Sequence, residues 1–474
     1  MRNLITLLIL FTSATHLFAQ KTKPEVLKSL DSKFDFYAGI AQKIWGFAEV
    51  GFQEVQSSAL LQQTLKDAGF QIEAGVAGMP TAFIATYGSG KPVIGILGEF
   101  DALPGVAQEA VPELKPIAGQ KAGHACGHHL FGTASSAAAI AVKDWLIANK
   151  KSGTIKFFGT PAEEGGSGKV YLVRDGFFSG VDLVFHWHPG SENSAQYGTS
   201  LANKSGKFRF YGVASHAAAS PDRGRSALDA VEAMDGMVNM LREHVNEQTR
   251  IHYVITRGGE APNVVPAYAE VYYYVRHPNP NEVKSTWERV TKAAQGASIG
   301  TETKFEVEVT GGVYNMLANE SLSKIIDTNM RAVGGYTLSL EESEFATKIQ
   351  QTFTKKPALE TTNTIVKFGP DEEKGGSTDV ADISWVVPTA GFGTATWVPG
   401  TAAHSWQAVA AGGMSIGKKG MMVAAKTLAG AMIDAFTDPK ITTDAWTEFK
   451  KRRGDDFKYE PLLGDRKPAL DYRK

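Results

Sequence analysis

The run Gly123-His124-Ala125-Cys126-Gly127-His128-His129 holds the only cysteine of the chain beside three of its eleven histidines, and a Glu163-Glu164 pair follows about one helix later. Sulfur, imidazole and carboxylate together make a ligand set of mixed softness, suited to a transition metal such as zinc or manganese. Gly127 lets the backbone turn between Cys126 and His128, and a long helix candidate, Leu130 to Asn149, starts just beyond. At that positive helix end, the dipole and a cation each lower a thiol pKa, so Cys126 is expected as a thiolate able to bridge two metals. The bland alternative is a buried small hydrophobe; a further one makes Cys126 a nucleophile with His128 as its base.

In Gly159-Thr160-Pro161-Ala162-Glu163-Glu164-Gly165-Gly166, adjacent acids leaving a strand end point to opposite sides. Glu164 is the expected metal ligand. Glu163 is the expected general base, taking a proton from the attacking water and passing it to the leaving amine. His186-Trp187-His188-Pro189 puts two histidines on opposite faces of a strand, so only one reaches a given cluster; His404 is a further candidate on a loop. Gly168-Lys169 lacks the glycine spacing of a phosphate loop.

These residues need elements to position them. Val93 to Leu97, Ile155 to Phe158 and Val181 to Phe185 are short apolar runs bounded by Gly or Pro, as buried parallel strands are. Asp101, Glu163, Glu164, His186 and His188 follow them, where α/β sheets place their sites. From 201 to 313 the texture changes to alternating strands (Lys207 to Val213, His252 to Thr256, Ala269 to Val275, Lys304 to Val309) and two helices, Ala227 to His244 and Asn281 to Gln295, a βαββαβ insertion. The fold class is therefore α/β in two domains: a catalytic part over 24–200 and 314–437 with a mixed, mostly parallel sheet flanked by helices, and an inserted lid over 201–313. Residues 438–474 carry many charges and little periodicity and are expected to be loosely packed.

With 474 residues the chain exceeds one ordinary core, and 49 basic against 50 acidic side chains leave no electrostatic footprint for nucleic acid. A small-molecule substrate is the better expectation. Arg2 and the apolar run Leu4 to Phe11 fit a secretory signal over 1–19, cut after Ala19, which predicts export to the periplasm. No later segment is expected to reach membrane-span length.

Taken as a set, Gly98-Glu99-Phe100-Asp101-Ala102-Leu103-Pro104, the Cys126 segment, the Glu163-Glu164 turn, Trp187-His188-Pro189, Ser215-His216-Ala217, Pro262-Asn263-Val264-Val265-Pro266, Ser377-Thr378-Asp379-Val380 and His404 resemble the M20 metallopeptidase and amidohydrolase family in order and spacing over about 30–435. The narrower resemblance is to its p-aminobenzoyl-glutamate hydrolases. It implies two divalent metal ions, Mn2+ or Zn2+, held by Cys126, His128, Glu164, His188 and His404, with Glu163 as acid and base. Glu99 stands where many relatives have a histidine, and Asp101 would orient the ligands rather than bind metal. His188 is favoured over His186, and His129 could support the ligands. His216 and Asn263 would reach the site of the opposite subunit, giving a homodimer through the lid, and Arg276 could meet a substrate carboxylate. The implied reaction is cleavage of an aroyl- or acyl-amino acid such as p-aminobenzoyl-glutamate, with a dipeptidase or deacylase of the same family as the alternative. A second subunit and a non-catalytic binding dimer also remain open.

Overall fold

The computed structural model describes residues 20–371 and 376–473. The secretory-signal expectation over 1–19 lies outside the described residues. Six strands form the main sheet, in the order Gln71–Ala74, Phe83–Ser89, Gly153–Gly159, Val93–Gly98, Leu183–Phe185 and Thr389–Ala390. The last four pair in parallel, while Phe83–Ser89 runs antiparallel to both of its neighbours. The three expected strands thus sit side by side as parallel neighbours. Their inward residues, among them Ile94, Ile96, Phe157, Phe158 and Val184, are fully buried.

The helix His128–Asn149 packs across this sheet, beside the long helix Ser415–Thr437. Alanines at 134, 137, 138, 139 and 141 are buried along it, and such small side chains let helix and sheet approach closely. By length and composition this helix could cross a membrane, contrary to the sequence expectation, yet most of it is buried against the sheet and its neighbouring helices. The apolarity that passes for a membrane span is that of a core helix.

A second sheet is wholly antiparallel, in the order Arg250–Arg257, Tyr268–His277, Ala202–Tyr211 and Lys304–Val313. Helices Ala227–Leu241 and Pro280–Gly300 cover one face and bury Met234, Val238, Trp287 and Val290 against it. The chain order is βαββαβ, as the alternation predicted. Val254 and Ile255 on the outer strand stay exposed.

The loose-tail expectation over 438–474 is overturned. Asp438 caps a helix, Pro439–Arg453, whose Ile441, Ala445 and Phe449 recur every four residues and are buried. The charges that hid this stripe occupy the other faces of the helix. Beyond it Leu462 and Leu463 are buried, one with each core, and Tyr459 Oη donates to Asp382 at 2.7 Å. Leu463→Ala is expected to cost about 2–5 kcal/mol, as buried leucines do, read as a lower urea midpoint; a loosely held tail would leave the midpoint unchanged.

Candidate active site

The cluster lies at the carboxyl ends of the parallel strands. Gly127 takes φ +77°, a left-handed turn, and a Cβ there would sit 2.6 Å from Pro189 Cβ. Only glycine lets the Cys126–His128 turn approach the His188–Pro189 segment so closely. Cys126 Sγ and His188 Nε2 are 3.4 Å apart as a result.

Each inward imidazole has its proton drawn away from the centre. His128 Nδ1 lies 2.8 Å from Asp101 Oδ1, and His188 Nδ1 lies 2.7 Å from the Pro189 carbonyl. With each Nδ1 engaged by an acceptor, each Nε2 is the ring nitrogen turned inward, the one a metal would take. Asp101 also accepts from the Glu164 backbone N–H at 2.9 Å, so one carboxylate fixes two neighbours at once. His404, at φ +61°, donates its backbone N–H to the Ala125 carbonyl and places Nε2 3.1 Å from Glu164 Oε1.

Ligand atoms converge in three overlapping groups, Cys126 with His128 and His188, Cys126 with Glu164 and His404, and His128 with Glu163 and Glu164; within each, all lie within 4.8 Å of one another. The structure therefore brings together Cys126, His128, Glu163, Glu164, His188 and His404, with Asp101 behind them. His186 joins none of these groups, its ring packed against Gly391, where a Cβ would fall 2.2 Å from its Nε2. His129 is turned away and hydrogen-bonded to the Gly412 carbonyl at 3.1 Å. His216, Asn263 and Arg276 stand on the antiparallel sheet and its loops, and among the described residues none bonds to the cluster. His216 Nδ1 accepts from the N–H groups of Ala218 and Ala219, and the Arg276 guanidinium lies over the Tyr274 ring.

Two expectations change. The Glu163-Glu164 pair does not leave a strand end directly; the strand stops at Gly159, and the acids ride a four-residue turn between Ala162 and Ser167, both left-handed. Nor does the helix end make Cys126 a thiolate unaided. Burial pushes the thiol well up, outweighing His128, so ionisation depends on a cation.

Behind the ligands lies a pairing that the motifs did not reveal. Lys169, fully buried, has Nζ 2.7 Å from both Glu99 Oε1 and Asp379 Oδ1, and its N–H donates to Asp379 Oδ2. Glu99 Oε2 in turn lies 3.0 Å from His128 Nε2 without the alignment of a hydrogen bond. A charged residue inside Gly168–Arg174, whose other members except Arg174 are apolar or glycine, was the available signal.

Electrostatics tests whether cations fit here. Glu99, Glu163 and Asp379 surround one lysine, and Asp101 and Glu164 stand beside His128, a local excess of acid. Burial, then Glu99, Asp379 and Glu164, push the Glu163 carboxyl well above its usual range. Burial opposes ionisation of Glu164, but the His404 hydrogen bond and the His128 and His404 charges hold it below that range. Buried Nε2 of His128 has no aligned hydrogen-bond partner, and Glu164 Oε1 faces the centre with His404 Nε2 3.1 Å away. A convergent donor set of thiol, imidazole and carboxylate amid excess negative charge fits divalent cations.

Residues 95–405 match the family model of peptidase family M20/M25/M40. The chain belongs to that family. Among curated relatives, a subunit of the p-aminobenzoyl-glutamate hydrolase of Escherichia coli (strain K12) is 39% identical over 442 residues, 88% of this chain and 92% of the relative. The Xaa-Arg dipeptidase of Mus musculus is 29% identical over 90% of this chain and 92% of its own length. Among solved folds, a Bacillus subtilis protein described as a dinuclear metal binding peptidase from the M20 family superposes with a TM-score of 0.57 at 17% identity, covering 86% of this chain and 99% of that one. This M20 chain is accordingly a hydrolase of amide or peptide bonds.

Removing the buried ammonium should be costly, because two carboxylates lose their counter-charge. Lys169→Met is expected to destabilise by about 3–5 kcal/mol, measured by urea unfolding; an unchanged midpoint would show that the pairing carries no stability.

Proposed function

We propose that this M20 hydrolase is metal-dependent, holds two divalent cations, manganese or zinc, and cleaves the amide bond of an aroyl- or acyl-amino acid of the p-aminobenzoyl-glutamate type. The observation that carries the reading is the convergence of Cys126, His128, Glu164, His188 and His404 around a surplus of buried acid, with Glu163 beside them. When bound, the cations supply Lewis acidity for an amide carbonyl and a water. The chain supplies the rest. Glu163 holds its proton tightly among neighbouring acids, and bound cations would lower that affinity toward the range where the carboxylate takes a proton from water and returns it to the leaving nitrogen. Asp101 keeps the His128 lone pair inward throughout.

The substrate class is supported by the Escherichia coli relative, and the mouse relative favours dipeptides as the second class to test. A cavity of about 930 Å³, lined by His186, His188, Ser191, Glu192 and Tyr197, adjoins the cluster and has room for either. For the lid we propose a homodimer in which His216 and Asn263 serve the partner's site. With Nδ1 accepting, His216 keeps Nε2–H as a donor for a developing oxyanion. Arg276, whose buried Nε has no hydrogen-bond partner, is proposed for the substrate carboxylate. The exposed Val254 and Ile255 support pairing through the lid. The Escherichia coli relative is by name a subunit, so a second chain is a further partner to test. The apolar run Leu4 to Phe11 supports export to the periplasm.

Glu163→Gln should leave bound metal unchanged while kcat falls by about 10²–10⁴-fold, as loss of a general base does; undiminished turnover would remove Glu163 from the mechanism. Chelation should abolish hydrolysis across a panel of acyl-glutamates and dipeptides, with recovery on adding manganese or zinc. Activity that survives chelation but not alkylation would instead mark Cys126 as a nucleophile.

A further inference from the structure

The Glu163-Glu164 turn is gripped by a segment that neither the motifs nor the proposed mechanism uses. Tyr472 Oη and Arg473 Nη2 both donate to the Glu164 carbonyl, at 2.9 and 2.8 Å, across more than 300 residues of chain. We propose that Tyr472 and Arg473 are positioning residues for hydrolysis, holding the Glu164 peptide so that the Glu163 carboxyl and the Glu164 ligand oxygen stand where the reaction needs them. This rests on the metal-hydrolase reading.

The turn needs such a hold. Ala162 at φ +56°, Gly165 at φ +89° and Ser167 at φ +56° are left-handed, and Glu164 between them has ψ +68°, outside the helical region. Non-glycine residues persist in such conformations only where surrounding contacts over-determine them. Here they do so on three sides. Glu54 Oε1 accepts from the Ala162 N–H at 2.8 Å, Asp101 Oδ2 accepts from the Glu164 N–H at 2.9 Å, and Tyr472 with Arg473 takes the opposite end of the same residue.

The two donors are themselves fixed. The Tyr472 ring meets Phe52 edge-on at 5.7 Å, the Arg473 guanidinium stacks on the Tyr472 ring, and Gln53 Nε2 donates to the Leu470 carbonyl at 2.7 Å. A Cβ at Gly51 would fall 2.2 Å from the Tyr472 hydroxyl, so the glycine there makes room for that oxygen. Further back, Arg174 Nη1 donates to the Arg466 carbonyl at 2.7 Å, and Arg466 donates to the Thr310 carbonyl. Neither Tyr472 nor Arg473 bonds to a metal-ligand side chain, which is why they position rather than catalyse.

The test uses the full-length, manganese-loaded protein, an acyl-amino acid that the wild type hydrolyses, the single variants Tyr472→Phe, Arg473→Ala and Arg473→Lys, and the double variant that combines Tyr472→Phe with Arg473→Ala. Tyr472→Phe and Arg473→Ala should each lower kcat by about tenfold, the effect of one missing partly buried hydrogen bond, with KM within about twofold and the melting temperature little changed. The double variant should fall further than either. Arg473→Lys should recover part of the loss. In metal-free protein, amide exchange over residues 160–168 should quicken in Tyr472→Phe and in Arg473→Ala, a readout independent of turnover. Tyr472→Phe keeps the ring packed on Phe52, so it reports on the hydroxyl even where the double variant unfolds. Wild-type kcat and exchange in Tyr472→Phe and Arg473→Ala, with an active wild type, would overturn this inference alone. A wild type that binds no manganese and hydrolyses nothing would overturn the metal-hydrolase reading, and this inference with it.

Discussion

Crowding of acid in a buried place is the constraint on which the rest of this structure depends. Glu99, Asp101, Glu163, Glu164 and Asp379 gather at the ends of parallel strands, and Lys169 answers only Glu99 and Asp379 directly. Like charges in low dielectric cannot all ionise without compensation. The protein resolves this unevenly: Lys169 neutralises the rear of the cluster, Asp101 commits its oxygens to His128 and the Glu164 N–H, and the front gathers Cys126, His188, Glu164 and His404 as convergent donor atoms. That division separates a permanently paired foundation from a face that a cation can complete.

Parallel strands make the arrangement possible. Val93–Gly98, Gly153–Gly159 and Leu183–Phe185 run side by side, so the loops that follow them leave the sheet at one edge and meet there. His128–Asn149 closes the cluster from a further direction, with the Cys126–Gly127 turn at its start. His404 comes in from much later in the chain through a backbone bond to Ala125, next door to the cysteine. Residues distant in sequence converge because each is tied to a backbone already fixed by a packed core.

Much of this was legible from residue types. The three strands announced themselves through continuous apolar runs, the lid through period-two alternation, and the clustered side chains through cysteine, histidine and glycine on one turn. What was not legible has physical causes. Lys169 is a charge at the start of a mostly apolar helix, and only the fold shows that it is flanked by two acids rather than by water. The thiol of Cys126 was read from the helix dipole, but the penalty for burying charge is larger and becomes visible only with the packing. The helix Pro439–Arg453 buries a stripe of just three residues, which its lysines and arginines conceal. The grip of Tyr472 and Arg473 on Glu164 is a contact between main chain and remote side chains, and main-chain contacts leave little trace in residue identity.

The central claim is that Cys126, His128, Glu164, His188 and His404 enclose a pair of cations. Anomalous diffraction from crystals grown with manganese or zinc tests it most directly. Two peaks are expected between these side chains, with Cys126 Sγ and the Nε2 atoms of His128 and His188 as their near neighbours. Peaks elsewhere on the molecule, or none at this cluster in metal-saturated crystals, would contradict it.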